Sequence, residues 1–158
     1  MKRHLIYSFT ALLIIFSGCS KEDHEEVDKE PPVIDISGSN YFPQQCSEVK
    51  RGQTFTFRAK FTDNKELGTY TLDIHHNFDH HNHSTEVEGC NMDPVKQPIK
   101  PFLFVKPYDI PKGSTNYTAE REITVPTDVD PGDYHFMIRL SDQEGWSHIK
   151  GLSIKITE

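Results

Sequence analysis

The chain has 158 residues, nine histidines and a formal net charge of −7 at pH 7. This acidic balance argues against nucleic-acid binding, because phosphate backbones would be repelled and no basic stripe with interleaved aromatic residues offsets the charge. The length beyond the N-terminal region fits one domain with a single core.

Residues 1–18 have the pattern of a secretory signal peptide. Lys2 and Arg3 precede the apolar stretch LIYSFTALLIIF, which is too short to stay in a membrane, and small residues follow it. The sequence FSGC resembles the bacterial lipoprotein lipobox, which implies that Cys19 becomes the lipid-modified first residue of the mature chain. The alternative is ordinary cleavage beside an incidental cysteine. Acyl chains would anchor the domain to a membrane without spanning it.

Residues 19–30 are predicted to form an acidic, solvated tether, since SKEDHEEVDKE is too charged to build a core. Its first residues, Ser20 to Asp23, resemble the acidic export signal of Bacteroidota lipoproteins. That resemblance implies an outer-membrane lipoprotein at the cell surface. A generic charged linker would instead leave the domain on the periplasmic face.

Residues 31–158 are predicted to form one all-β domain. Short segments alternate apolar and polar residues and are separated by Gly, Pro, Asn and Asp, and no long stretch has helical spacing. The predicted strands span about 33–37, 54–62, 69–76, 117–125, 133–141 and 149–157. This pattern is typical of a β-sandwich.

Three sequence segments resemble segments of known β-sandwich domains and so indicate which type of sandwich to expect. DPGDYHF places Asp130, Gly132 and Tyr134 in the spacing D-x-G-x-Y, which resembles the tyrosine corner of immunoglobulin-like domains. SDQEGWS resembles the F–G hairpin of bacterial immunoglobulin-like and fibronectin-like modules, and FTDNKELGTYTLDI resembles their B–C region. The resemblance implies an immunoglobulin-like or fibronectin III-like β-sandwich.

Together with the lipobox, the tether and the sequence DIHHNFDHH, these features resemble a Bacteroidota lipoprotein family of unknown function with a histidine-rich motif on strand C. The resemblance implies fold and location. It implies no biochemical role, so function has to be argued from side chains.

Five of the nine histidines lie in DIHHNFDHHNHS, residues 73–84. If Ile74 points inward, alternation along the strand predicts that the side chain of His75 points outward. It also predicts that His135, which lies between two inward-facing aromatic residues, points outward. Strand C lies beside strand F in the expected fold, so His75 and His135 are expected side by side on the solvent face. The loop that follows could fold back and add further imidazoles.

We therefore predict a transition-metal site with histidine ligands and with aspartates that ligate or orient the imidazoles. Such a set suits Zn²⁺, Cu²⁺ or Ni²⁺ better than Mg²⁺ or Ca²⁺, which prefer oxygen. The alternatives are a polar loop, in which the inward-facing His76 is a hydrogen-bonded rim residue, and a pH sensor that titrates near the ordinary imidazole pKa of about 6.5. The predicted ligands are His75, His76, His80, His81, His83 and His135, and the predicted orienting residues are Asp73 and Asp79.

Two cysteines remain once Cys19 is lipidated, namely Cys46 and Cys90. A disulfide between them would close a loop of about 45 residues, contribute roughly 3–4 kcal/mol and fix the far end of the histidine loop. The alternative is that one of the two thiolates ligates the metal.

The proline-rich stretch MDPVKQPIKPFLFVKPYDIPKG, residues 92–113, is predicted to be an edge strand or a connection over the sandwich, because proline cannot sit in a central strand. Phe102, Phe104 and Tyr108 would cover the core or line a carbohydrate or peptide groove.

Catalytic motifs are not indicated, since the sequence has no G-x-S-x-G elbow and no evident acid–base pair. Two hypotheses follow. The first is a membrane-anchored, surface-exposed module that binds a transition metal through the histidines. The second is a structural, adhesion or carbohydrate-binding accessory module without intrinsic metal, whose partner would be an extracellular protein or glycan.

Overall fold

The structure is a computed structural model that describes residues 27–83 and 89–158. The predicted signal peptide, the predicted lipidation site Cys19 and tether residues 19–26 lie outside the described residues. Within the described ranges no helix has the length and apolar character needed to cross a membrane.

The described residues form an all-β fold of two sheets, consistent with a β-sandwich. A three-stranded sheet has the order β1-β3-β6, and a five-stranded sheet has the order β2-β8-β7-β4-β5. All pairs are antiparallel except β2 with β8. The strands are β1 (Val33–Asp35), β2 (Ser47–Lys50), β3 (Thr54–Thr62), β4 (Leu67–His76), β5 (Phe104–Asp109), β6 (Asn116–Thr124), β7 (Gly132–Asp142) and β8 (Ser147–Thr157).

The core lies between the sheets and follows from period-2 alternation along the central strands. On β4, Tyr70, Leu72 and Ile74 are fully buried, while the residues between them are partly exposed. On β3, Phe57 stacks against Phe136 of β7 with 5.6 Å between ring centroids. Aromatic contacts across the two sheets therefore fix which face of β4 and β7 is turned to the core.

Tyr134 ties the start of β7 to the chain before it. Its hydroxyl donates a hydrogen bond to the carbonyl oxygen of Asp130 (2.6 Å) and accepts one from the backbone N–H of Phe102 (3.0 Å). Burial raises the pKa of Tyr134 to about 12, so the phenol stays protonated and can donate. The D-x-G-x-Y segment thus holds the connection that precedes β5 against the sheet.

The proline-rich stretch forms β5, which lies at the edge of the five-stranded sheet and pairs only with β4 among the described strands. An edge position tolerates Pro107, whose missing N–H can face outward. Phe102 is buried, and Phe104 and Tyr108 pack against the core, with Tyr108 stacked on Tyr70 at 5.0 Å. These aromatic side chains therefore cover the core in this structure.

Candidate metal centre

Strand pairing brings the first two histidines together. β4 and β7 run antiparallel with His75 directly opposite His135, and the two ring centroids are 5.2 Å apart. Their chain neighbours Ile74 and Phe136 are fully buried in the core. Because side chains alternate along a strand, both imidazoles lie on the sheet face turned away from the core.

The chain then turns back over that face. The N–H of Asn77 donates to the carbonyl of Asp133 (2.8 Å), and the N–H of His80 donates to the carbonyl of Asn77 (3.2 Å). His80 has a φ of 59°, the left-handed conformation that closes such a turn. Phe78 is 2% exposed and packs edge-on against Tyr134 at 5.3 Å. The turn and this apolar anchor direct residues 81–83 across the sheet.

Two further imidazoles reach the strand pair from this loop. The rings of His81 and His83 each lie 4.7 Å from the ring of His135, between centroids, and 5.1 Å from each other. One ring nitrogen from each of His75, His81, His83 and His135 lies within 4.8 Å of the others. The cluster therefore joins a strand end, a loop and a second strand.

The spacing of these nitrogens suits one bound ion. Zinc–imidazole bonds of about 2.0–2.1 Å place the nitrogens of an ideal tetrahedral site about 3.3 Å apart. The Nε2 atoms of His75 and His83 are 3.1 Å apart. The other pairs of nitrogens in the cluster lie within 4.8 Å, so imidazole rotation would have to bring them to the distance that a shared ion requires.

Hydrogen bonds orient three of the four rings. Nδ1–H of His75 donates to Asp73 (2.8 Å) and Nδ1–H of His81 donates to Asp79 (2.6 Å), since a carboxylate can only accept. This hydrogen bonding leaves Nε2 of each ring as the nitrogen available to a metal. Nε2–H of His135 donates to the carbonyl of His81 (3.2 Å), which places the lone pair of that ring on Nδ1. Carboxylate or carbonyl partners of this kind are usual for metal-bound histidines.

His135 is fully buried beneath the loop. Burial, together with the neighbouring imidazoles of His81, His83 and His75, lowers its pKa to about 4. The ring is therefore neutral at neutral pH, which is the form that ligates a metal. Alternation predicted a solvent-facing His135, and the structure differs because the loop covers that face of the sheet.

Two predicted ligands lie outside the cluster. His76 follows His75 on β4 and so points to the opposite face, where its ring lies 5.0 Å from the ring of Phe78. His80 is exposed, and its Nε2 contacts the carbonyl oxygen of Asp93 at 2.9 Å. Four of the six predicted ligands therefore lie in the cluster, and alternation and the turn place the other two elsewhere.

Cys46 and Cys90 form a disulfide with a Cα–Cα distance of 5.4 Å. Both sulfur atoms are used in this bond, so neither thiolate belongs to the cluster. The bond joins the stretch before β2 to the chain that follows the histidine loop, seven residues after His83.

Sequence reasoning missed the residues that position the loop. Asn77 and Phe78 are both buried and fix its entry, and the N–H of Lys96 donates to the carbonyl of Phe78 (3.0 Å). The available signal was one aromatic residue, Phe78, in the otherwise polar run HHNFDHHNHS.

Comparison with known proteins gives a family and a distant structural likeness. A family model described as a domain of unknown function, DUF4625, matches residues 17–157. No curated protein matches the sequence significantly. A crystal structure of a mutant SrpA adhesin from Streptococcus sanguinis is similar at 16% identity and a TM-score of 0.43, over 82% of this chain and 57% of that chain. That likeness is too weak to support an argument about fold or function.

Proposed function

We propose that this chain, which belongs to the family of domains of unknown function DUF4625, binds one divalent transition-metal ion. The ligands are His75, His81, His83 and His135. The observation that carries the proposal is the convergence of four imidazole nitrogens, from two strands and a loop, within 4.8 Å of one another. Such convergence is costly for a merely polar surface loop, because His135 gives up solvation to join it.

The donor set limits which ions fit. Four imidazoles without a thiolate suit Zn²⁺, Cu²⁺ and Ni²⁺, and Cu²⁺ should bind most tightly among these. Four protein ligands complete a tetrahedral shell and leave no open position for water, which is the arrangement of sites that hold a metal rather than activate a substrate. The proposed role is therefore metal binding, not catalysis.

The same proposal includes a fold type and a location. An immunoglobulin-like sandwich is supported by the contact of the Tyr134 hydroxyl with the carbonyl of Asp130 and by the sheet orders β1-β3-β6 and β2-β8-β7-β4-β5. A membrane-anchored lipoprotein at the cell surface is supported by FSGC, which ends at Cys19, and by the acidic residues after it. The module would then sequester or present a metal ion outside the cell.

A second candidate is an adhesion or accessory module without metal. The observation in its favour is exposed apolar surface on and before the edge strand β5, at Ile99 (92% exposed), Leu103 (70%) and Val105 (57%). Exposed apolar patches of this kind commonly mark contact surfaces.

Elemental analysis of the full chain, made without a polyhistidine tag, separates the two candidates. We expect close to one Zn, Cu or Ni per chain after dialysis, and loss of that metal in His75→Ala/His81→Ala. His80→Ala is the matched control, because His80 lies in the same loop but outside the cluster. A metal-free wild-type chain that also fails to bind added Zn²⁺ would remove the first candidate. Full retention in the double variant would show that the ligand set is wrong.

A further inference from the structure

A second cluster of ligating groups lies at the opposite end of the five-stranded sheet. It contains Asp28, which precedes β1, Asp142 at the end of β7, and Glu144 in the turn between β7 and β8. One carboxylate oxygen from each residue lies within 4.8 Å of the other two. His135 lies near the other end of β7, so the two clusters do not overlap.

Backbone and side-chain donors hold both aspartates in place. Oδ1 of Asp142 accepts hydrogen bonds from the N–H groups of Gly145 (2.6 Å) and Trp146 (2.7 Å). Oδ1 of Asp28 accepts from Nδ2 of Asn64 (2.8 Å) and from the N–H of Glu30 (3.1 Å). In each carboxylate, therefore, Oδ1 is the oxygen that accepts the hydrogen bonds that hold the surrounding chain in place.

The second oxygen of each aspartate has no such role. Asp28 is 4% exposed and Asp142 is 6% exposed, yet Oδ2 of both is buried without a hydrogen-bond partner among the described residues. Buried carboxylate oxygens without a protein partner are costly, and a bound cation is one of the few groups that would satisfy them.

We propose that Asp28, Asp142 and Glu144 bind a calcium ion. Carboxylate oxygens are the ligands of hard cations, and Ca–O bonds of about 2.3–2.6 Å allow one ion to reach oxygens that lie within 4.8 Å of one another. Mg²⁺ is a poorer fit, because its bonds of about 2.0–2.1 Å demand near-ideal octahedral geometry. Water and backbone oxygens would complete the shell.

The ion would join two parts of the chain that are distant in sequence. Asp28 belongs to the segment that leads into β1, whereas Asp142 ends β7 and Glu144 lies in the β7–β8 turn. Nε1–H of Trp146 already donates to the carbonyl oxygen of Asp28 (2.9 Å). Calcium would strengthen this contact and fix the segment that enters the domain. The proposal does not depend on the histidine site.

Trp146 gives a direct readout, because it is the only tryptophan of the chain. Its fluorescence is titrated with Ca²⁺, and separately with Mg²⁺, in the full chain after removal of bound metal. We expect a saturable change with Ca²⁺ at a Kd of about 10⁻⁴–10⁻³ M, the range of extracellular calcium modules, and a much weaker response to Mg²⁺. No saturable response to Ca²⁺ up to about 10 mM, ten times the upper limit of that range, would overturn the proposal.

Two variants test the ligands without breaking the turn. Glu144→Gln changes an exposed side chain and should raise the Kd at least tenfold, while Glu122→Gln, an exposed glutamate on β6, should leave it unchanged. Asp28→Asn/Asp142→Asn keeps the Oδ1 acceptors, should fold without calcium and should give no fluorescence response. A wild-type Kd in either ligand variant would overturn the assignment.

Limited trypsin digestion tests the consequence for the entering segment. Lys29 is exposed and adjoins Asp28, so cleavage after Lys29 should slow at least tenfold in saturating Ca²⁺. The same cleavage should not respond to Ca²⁺ in Asp28→Asn/Asp142→Asn. An unchanged rate in the calcium-saturated wild type would overturn the claim that the ion fixes this segment.

Discussion

Two aspartate–histidine pairs of the same spacing orient half of the histidine cluster. Asp73 precedes His75 by two residues and Asp79 precedes His81 by two residues, and each carboxylate accepts the Nδ1–H of its histidine. On β4 the spacing of two places both side chains on one face of the strand. The pairs hold Nε2 toward the cluster, as carboxylate partners of metal-bound histidines usually do.

Removing one of these carboxylates should weaken metal binding without removing a ligand. Asp73→Asn keeps an oxygen that can accept from Nδ1–H of His75, but it loses the negative charge. We expect the Kd for Zn²⁺ to rise about tenfold, at the low end of the usual range for such partners. Competition with a chromophoric zinc chelator measures this, and Asp109→Asn, an exposed aspartate on β5, is the control. Equal zinc affinity in the two variants would contradict the orienting role.

The raised pKa of Tyr134 predicts how the free energy of unfolding changes in alkaline solution. Its pKa is raised to about 12 in the folded chain by burial, against about 10 when unfolded. A raised folded pKa means that the unfolded state loses its proton first, so the contribution to stability is present below pH 10 and is lost as pH rises toward 12. By proton linkage, the difference between these two pKa values corresponds to a loss of about 2–3 kcal/mol in the free energy of unfolding.

The variant Tyr134→Phe removes that dependence but leaves two backbone groups without their side-chain partner. It should cost about 1–3 kcal/mol at pH 7. Between pH 9 and 11 its unfolding free energy should then fall less steeply than that of the wild type. Urea denaturation at several pH values measures both quantities. The unfolding free energy of Tyr134→Phe should still fall somewhat with rising pH, because burial also raises the pKa of Tyr70. Parallel slopes would show that Tyr134 does not titrate as described.

At the level of elements, the loop after β4 decides whether the histidines form a site. Phe78 is its apolar anchor, packed on Tyr134 and covered by the Lys96 side chain, whose Nζ lies 4.4 Å from the ring centroid. His81 and His83 are partly exposed, and their rings contact each other and His135. Their positions therefore depend on Phe78 and on the turn at Asn77.

Shortening this anchor should reduce metal affinity through the loop. Phe78→Leu keeps an apolar side chain but loses the ring contacts, so we expect a tenfold or larger rise in the Kd for Zn²⁺ and a modest loss of stability. Phe61→Leu is the matched control, since Phe61 is an equally buried phenylalanine on β3 of the other sheet. If Phe61→Leu weakened zinc binding as much, the effect would be general destabilisation and not loop positioning.

Alternation explains which parts of this fold could be predicted. The six predicted strands correspond to β1, β3, β4, β6, β7 and β8, because each has period-2 patterning long enough to read. β2 was not predicted, since SEVK has one apolar residue and its pairing with β8 is a long-range contact. For β5 the sequence predicts either an edge strand or a connection, because proline cannot sit in a central strand and this stretch is rich in proline.

The site was predictable to the same extent as the strands that carry it. Opposition of His75 and His135 follows from alternation together with the expected neighbours of β4. Whether His81 and His83 or His80 joins the cluster depends on the turn at His80, where a non-glycine residue has a positive φ. The alternation of apolar and polar residues does not predict such a turn. The acidic cluster was missed because Asp28 lies in a segment whose charge predicted only a solvated tether.

At the level of the whole molecule, the disulfide links the histidine loop to the rest of the fold. Cys46 and Cys90 are 44 residues apart in sequence. Cys46→Ser/Cys90→Ser should therefore lower the free energy of unfolding by about 4 kcal/mol in the chain-entropy account. Urea denaturation under non-reducing conditions measures it. The reduced wild type should match the variant, and a difference between them would point to a role of the serine substitutions themselves.

The two proposed cation sites should stabilise the domain independently, because they lie at opposite ends of one strand. His135 and Asp142 are seven residues apart on β7, which at about 3.4 Å per residue separates them by roughly 24 Å. Ligand binding stabilises the folded state by about 2.7 kcal/mol at 100 times the Kd. Sites this far apart normally add within about 0.5 kcal/mol.

Zn²⁺ and Ca²⁺ together, each at 100 times its Kd, should therefore raise the unfolding free energy by about 5 kcal/mol. Chemical denaturation of the full chain with no ion, each ion alone and both ions measures the four terms of this cycle. In His75→Ala/His81→Ala only the calcium term should remain, and in Asp28→Asn/Asp142→Asn only the zinc term. A combined rise in the unfolding free energy no larger than that with one ion would mean that both ions compete for a single site. That result would contradict the two proposed ligand sets, which are too far apart along β7 to share an ion.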